Sequence, residues 1–419
     1  MIVLDLFSGA GGLSEGFLRV GSTFVGHVEV DSYACKTLKT RTAYWNLKKE
    51  NKLEIYNKYL LGAISTKELW ELSNITNSED VINEAISDKT FPKIIKTINK
   101  NLKLKNIKKV DVIIGGPPCQ AYSVIGRARM KDAVVNDPRN FLYKYYVKFL
   151  EKYKPKMFIF ENVMGLKTAG NGEYYRSLKK ALDKAGYHIE ENIMYANDYG
   201  VLQSRKRIII VGWKKDKRRK NYPFPEFEKI KLDYDITVND VLKDLPITYP
   251  GNKIEGKDLY AKETNKYLKF ANIRSDDFNI LTQHETRPHN EIDREIYREA
   301  ITAWNNNKER LNYSELAERR PDLITHKNTK TFTNRFNVIK ADEKASHTIL
   351  AHIAMDGHYY IHPDIKQLRS LSIREAARLQ SFPDDFYFEG PRTSIFRQIG
   401  NAVPPKMAEQ IAKKIKDLI

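Results

Sequence analysis

An apolar run in this chain, "VDVIIGG", ends in "PPCQAYS", so two prolines hold Cys119 out at the exit of a predicted strand. An unperturbed thiol titrates near about 8.5, and a nucleophilic cysteine therefore needs positive charge beside it to raise its thiolate fraction. "QSRKR" supplies such charge as Arg205 and Arg207, immediately before the predicted strand "RIIIVGW". Glu161, in "ENV", ends the predicted strand "PKMFIFENV", at the kind of edge where α/β sheets assemble their sites. Taken singly, Glu161 and Arg205 also read as ordinary strand-end charges, and Cys119 as a small buried hydrophobe. A second constellation is "DLFSGAGG", a strand followed by a turn that opens a helix. Gly9, Gly11 and Gly12 there let the backbone approach a ligand at a positive helix end. The full G-x-G-x-x-G spacing is missing, which points away from a dinucleotide pyrophosphate and towards the carboxylate of an amino-acid-like cofactor. Glu29, about 20 residues on at the end of the second strand, suits ribose hydroxyls.

These residues need a scaffold. The opening "MIVLDLF", the helix "LSEGFLRV" and the strand "TFVGHVEVD" make the start of a βαβ unit. The Lys- and Asn-rich stretch of about 43–109 reads as a helical insertion. Asp137 and Pro138 look like an N-cap and first helical position, before a helix with Leu142, Tyr145, Tyr146 and Phe149 on one face. Strand and helix then alternate to Trp213, which argues a parallel α/β sheet. The segment 214–345 is polar and irregular and reads as a second, smaller domain. Beyond it, "HTILAHIAMDGHYYIHP" suggests a hairpin turning at Asp356 and Gly357, and Ser372 with Glu375 a capping box. The final segment ends in an amphipathic helix.

With 419 residues, 41% of them hydrophobic, the chain can bury sizeable cores and favours two domains. Its formal net charge of +18 attracts polyanions, nucleic acid first. Two cysteines give neither a disulfide framework nor a zinc set. His347, His352, His358 and His362 lack cysteine or carboxylate partners in a ligand pattern, so no metal is expected. The absence of a long apolar run and of a signal-peptide pattern reads as a soluble, cytoplasmic protein without membrane contact.

In order along the chain, "DLFSGAGGLSEGF", "GGPPCQAYS", "ENV", "QSRKR", "REAARLQSFPDDF" and "QIGNAVPP" resemble the DNA cytosine-5 methyltransferase family, bacterial restriction–modification type. The resemblance implies an α/β fold: a Rossmann-like, S-adenosylmethionine-dependent methyltransferase sheet with a smaller, irregular target-recognition domain. The division it implies is a catalytic domain over 1–213, recognition over 214–345, a hinge over 346–390 and a C-terminal segment, 391–419, that completes the catalytic domain. Phe7, Gly9, Gly11, Glu29, Val30, Asn401 and Ala402 would bind S-adenosyl-L-methionine. Cys119 would attack C6 of a flipped cytosine, Glu161 would hold N3, and Arg205 and Arg207 would anchor the base and its phosphate surroundings. "AYSVIGRARMKDAVVND" would be the loop that closes on the DNA. Family members carry an acidic residue on the adenine amino group; here Ala85 stands where it is expected, with Asp88 as a substitute. The expected partner is double-stranded DNA, methylated by a monomer that protects it from a cognate endonuclease, a partner in function rather than in complex. A tRNA-directed member of the same family and a catalytically silent DNA-binding regulator are the competing readings. The basic run "KKDKRRK" fits a DNA contact and a solvated linker equally.

Overall fold

A computed structural model describes residues 1–75, 79–117, 141–216, 221, 223–325 and 328–419. Cys119, Asp137, Pro138, the proposed closing loop and the centre of the basic run lie outside them. Seven strands form the main sheet: β1 (Ile2–Leu6), β2 (Thr23–Glu29), β3 (Val81–Asn83), β4 (Val112–Gly115), β5 (Met157–Asn162), β6 (Tyr187–Tyr195) and β8 (Lys206–Lys214). Their order is β3-β2-β1-β4-β5-β8-β6. The order reverses between β1 and β4, which opens a crevice at the carboxyl ends of the strands.

Alternation along each strand sends neighbouring side chains to opposite layers. Leu4, Ile113, Phe158 and Ile208 enter one core, with the helices Phe91–Leu104, Leu142–Tyr153 and Glu173–Lys184. Val3, Ile114, Ile159 and Ile209 enter the other, against the helices Gly12–Arg19 and Pro405–Leu418. A third core joins Val238, Val241 and Leu268 to Ile373, Phe382 and Ile399. A fourth is local to the helices Glu291–Asn307 and Tyr313–Arg319 with Phe336 and Val338.

Four expectations need correction. The sheet is mixed, because β8 runs antiparallel to both β5 and β6. The link from β6 to β8, residues 196–205, holds no crossover helix, and a parallel return would need one. The stretch 43–109 is not simply inserted helix: it supplies edge strand β3 and the crossover helix Phe91–Leu104, alongside the helices Leu53–Leu60 and Thr66–Leu72. Around Asp356 the chain turns, with the Tyr360 N–H donating to the Gly357 carbonyl, but no hairpin forms. Its two arms have other partners: the short strand Ser346–His347 pairs with β7 (Gln203–Ser204), and Ile361 bridges to Val338 and Ser370. The helix Leu142–Tyr153 buries Tyr143, Tyr146, Val147, Phe149 and Leu150, which leaves Leu142 and Tyr145 at the margin of the buried stripe.

Candidate active site

Register alone gathers much of the site. Leu6 pairs with Val28 and with Gly115, and Gly115 with Phe160. One residue further on, Phe7, Glu29, Gly116 and Glu161 leave the carboxyl edge of four adjacent strands in one row.

On the β1–β2 side, Phe7, Gly9 and Gly11 all have left-handed φ, of 58°, 54° and 85°. The Glu29 carboxylate holds this turn: it accepts from the Gly9 N–H at 2.7 Å, from Val30 at 2.8 Å and from Asp31 at 2.9 Å. Burial pushes the Glu29 carboxyl above its usual range against the opposing pull of these three donors. Val30, just past it, is 63% exposed, a large apolar side chain left bare at the crevice. The Asn83 amide donates to the Glu29 and Val30 carbonyls at 3.2 and 2.9 Å and pins that turn. Asn83 was invisible in the sequence because its strand is three residues long. Asp88 is ion-paired with Lys148 at 2.7 Å, and the Ala85 carbonyl accepts from Thr90. Asn401 is exposed at the end of the helix Arg392–Asn401, and Ala402 follows it, buried. This segment lies hard against the glycine turn: a Cβ on Gly12 would run into the Val403 carbonyl oxygen.

On the β4–β5 side, Gly116 lies so close to Glu161 that a Cβ there would stand 2.5 Å from Glu161 Oε2. Asn162 donates to the Pro117 carbonyl at 3.0 Å. The two residues "EN" thus fix the start of the proline-stiffened segment that carries Cys119. Glu161 Oε1 lies 2.6 Å from Arg207 Nε, in an ion pair that joins β5 to β8. Arg205 is placed differently. It is fully buried, with its guanidinium donating to the Ile349 and Gly400 carbonyls at 2.8 and 3.0 Å. Burial, and then the neighbouring Arg207, drive its pKa well below the usual arginine range. Gln203, also buried, accepts from the Ile349 N–H and donates to the Leu379 carbonyl. These two side chains tie the link between β6 and β8 to the C-terminal third of the chain. Cys35 is not a nucleophile candidate: burial, with Glu29 nearby, pushes its thiol up to about 12, and its Sγ faces the Glu29 carbonyl.

The helix Ile373–Leu379 buries all of its residues, Arg374 and Arg378 included. Ser372 and Glu375 form the expected capping box, and Glu375 also takes a bidentate contact from Arg369 at 2.7 Å on each oxygen. Arg378 reaches Asp244 and Asp384, while Arg374 donates to the Thr282 carbonyl and hydroxyl. His347 contacts the Tyr359 carbonyl and Asn337, His358 the Tyr297 hydroxyl, and His362 the Asp364 N–H.

The model of the C-5 cytosine-specific DNA methylase family matches residues 1–66 and 79–417. A type II methyltransferase of Bacillus paralicheniformis, M.Bpa9945I, is 41% identical, with 100% of this chain and 99% of that protein covered. M.DdeI of Desulfomicrobium norvegicum is 29% identical over 99% of this chain and 88% of its own. Among solved structures, a prophage-encoded candidate DNA modification methyltransferase (E. coli) superposes with a TM-score of 0.65 at 25% identity, covering 100% and 99% of the two chains. The fold, the row of strand-end residues and these matches define the class: the chain belongs to the C-5 cytosine-specific DNA methylase family. It is a site-specific DNA cytosine-5 methyltransferase, and its substrate is DNA. Among the described residues no helix is long and apolar enough to cross a membrane.

Proposed function

We propose that the protein methylates cytosine through a covalent adduct on Cys119, with S-adenosyl-L-methionine as methyl donor. The observation that carries this reading is the Glu161–Arg207 ion pair, set against the Gly116–Pro117 segment that leads to Cys119. The residues present fit the cofactor. Three left-handed residues shape an open turn, nothing stands within 4 Å of where a Gly9 side chain would begin, and an acid and an exposed valine follow on the next strand. Phe7, Gly9 and Gly11 would line it, Glu29 would take the ribose hydroxyls, Val30 would cover the adenine, and Asn401 and Ala402 would close the pocket. When bound, this cofactor supplies an electrophilic methyl group.

Cytosine C5 is a poor nucleophile, and the protein changes that. The Cys119 thiolate adds to C6 and makes C5 part of an enamine. Glu161 donates a proton to N3, which neutralises the charge pushed into the ring, with Arg207 keeping its carboxyl in place. Once C5 carries the methyl group, loss of the C5 proton to a base and expulsion of the Cys119 thiolate from C6 restore the C5–C6 double bond and complete the cycle. The base must be extruded first, at about a few kcal/mol, and "AYSVIGRARMKDAVVND" is the loop proposed to close over it. Arg205, bonded to two backbone carbonyls, is a positioning residue in this scheme. Sequence reading falls to residues 214–345, and the role to protection of cytoplasmic DNA from a cognate endonuclease by a monomer.

Incubation with S-adenosylmethionine and DNA of mixed sequence, followed by bisulfite mapping, tests this. Methylcytosine confined to one short motif is expected; label in tRNA alone, or in neither, would sink the reading. On that motif, Glu161→Gln is expected to lower kcat by about 100-fold or more with DNA affinity retained. A single-turnover assay beside a binding titration separates the two quantities.

A further inference from the structure

Among the described residues, two aromatics hold left-handed φ: Phe7, in the cofactor turn, and Phe332, at 64°. A bulky residue in that region is strained, and strain of this kind persists where the surroundings impose it. Phe332 is also 70% exposed, so no packing explains why an aromatic occupies the position. The segment around it is built. The Asn328 side chain accepts from the Lys330 and Thr331 N–H groups at 3.2 and 3.0 Å. The Arg335 N–H donates to the Phe332 carbonyl at 3.3 Å, and the Tyr313 N–H to the Thr333 carbonyl at 2.7 Å. The Arg335 guanidinium lies 5.0 Å from the centre of the Tyr313 ring. The tip is therefore a fixed turn that presents one bare ring, with Lys330, Thr331 and Asn334 exposed around it.

Its root leads to the buried segment just before β8, whose Arg207 pairs with Glu161. Asn337, five residues on, bonds to His347, and Ser346 beside that histidine pairs with Gln203, two residues from Arg205. A span of five residues covers at most about 17 Å. A rigid aromatic among cationic and polar side chains is the pattern that stacks on nucleobases, since every base offers a π face while the cations follow the phosphates.

We propose that Phe332 is a specificity-determining contact of the recognition region, its ring packed against the bases of the target site while Lys330 tracks the adjacent phosphate. This rests on the DNA-methylating reading above and assigns a residue to its specificity. The test compares wild type, Phe332→Ala and Phe332→Tyr on duplexes with and without the mapped motif. Phe332→Ala is expected to lose about 10- to 100-fold in kcat/KM on motif DNA and less than about 3-fold in affinity for motif-free DNA. Phe332→Tyr, which keeps the ring, is expected to stay within about 3-fold of wild type on both. Unchanged kcat/KM in Phe332→Ala overturns the proposal, and so does an equal loss on both duplexes, which would mean a backbone contact. Wild-type activity on the motif is the separate control for the underlying reading, and thermal melting of both variants shows that the fold is intact.

Discussion

Cys119→Ser is expected to bind motif DNA within a few-fold of wild type and to transfer methyl groups at least about a thousandfold more slowly. The substitution keeps the size and the proline-stiffened setting of the side chain but replaces a thiol with a hydroxyl that is barely ionised at neutral pH. On the proposed mechanism C6 then gains no nucleophile, and C5 stays unreactive however well the base is held. Glu161, Asn162 and Arg207 remain paired as before, so base extrusion and binding survive. Filter binding and a tritiated-methyl assay on the same preparation read both quantities. Transfer at the wild-type rate would remove Cys119 from the mechanism, whereas loss of binding would make it a DNA-positioning residue.

The second large effect concerns stability. Arg378 donates from Nε and Nη2 to Asp384 at 2.8 and 2.6 Å, and from Nη1 and Nη2 to Asp244 at 2.6 and 3.1 Å. Its Nη1 also reaches the Val241 carbonyl at 3.0 Å. All three charged side chains are at most 1% exposed. Removing one partner from a buried ionic cluster strands the other charges, so Arg378→Ala is expected to cost about 3–5 kcal/mol, read as a lower urea midpoint. Arg274, 2.8 Å from Asp244, keeps that carboxylate partly paired, which leaves Asp384 as the larger liability. A loss below about 1 kcal/mol would show the cluster to be incidental. The pH dependence has a definite sign. Burial pushes the Asp384 carboxyl up, but the Arg378 guanidinium outweighs it and holds the group below the usual carboxylate range. The folded protein therefore binds this proton less readily than the unfolded chain. The contribution is complete above the unfolded-state carboxylate range and fades as pH falls below it.

The sequence made the strand ends legible, and much of the rest was hidden for identifiable reasons. β1, β2, β4, β5 and β8 are apolar runs bounded by polar residues, so their exits could be located, and Ser372 with Glu375 announced a helix start. β3, "VIN", is too short to show a period of two. The direction of β8 depends on the length and content of its link to β6, a property of topology rather than of any residue. Burial was least legible around 369–384. Nothing in the charged stretch "RSLSIREAARLQSFPDD" marks it as interior, yet Arg369, Arg374, Arg378 and Asp384 are buried because their partners come from segments up to 137 residues away. Arg205 is hidden in the same way, since its two carbonyl acceptors lie 144 and 195 residues further along. Phe332 stood out only once its exposure and backbone angle were known together.

The contact between Gly12 and Val403 bears on the order of events during folding. It joins segments about 390 residues apart, and a contact of such sequence separation forms slowly because the chain must lose its freedom before the contact rewards it. β1, β2 and the helix between them can form early from local contacts, but the glycine turn stays open on one side until residues 401–408 dock against it. On the proposed reading, a partly folded chain therefore has no complete pocket for its cofactor.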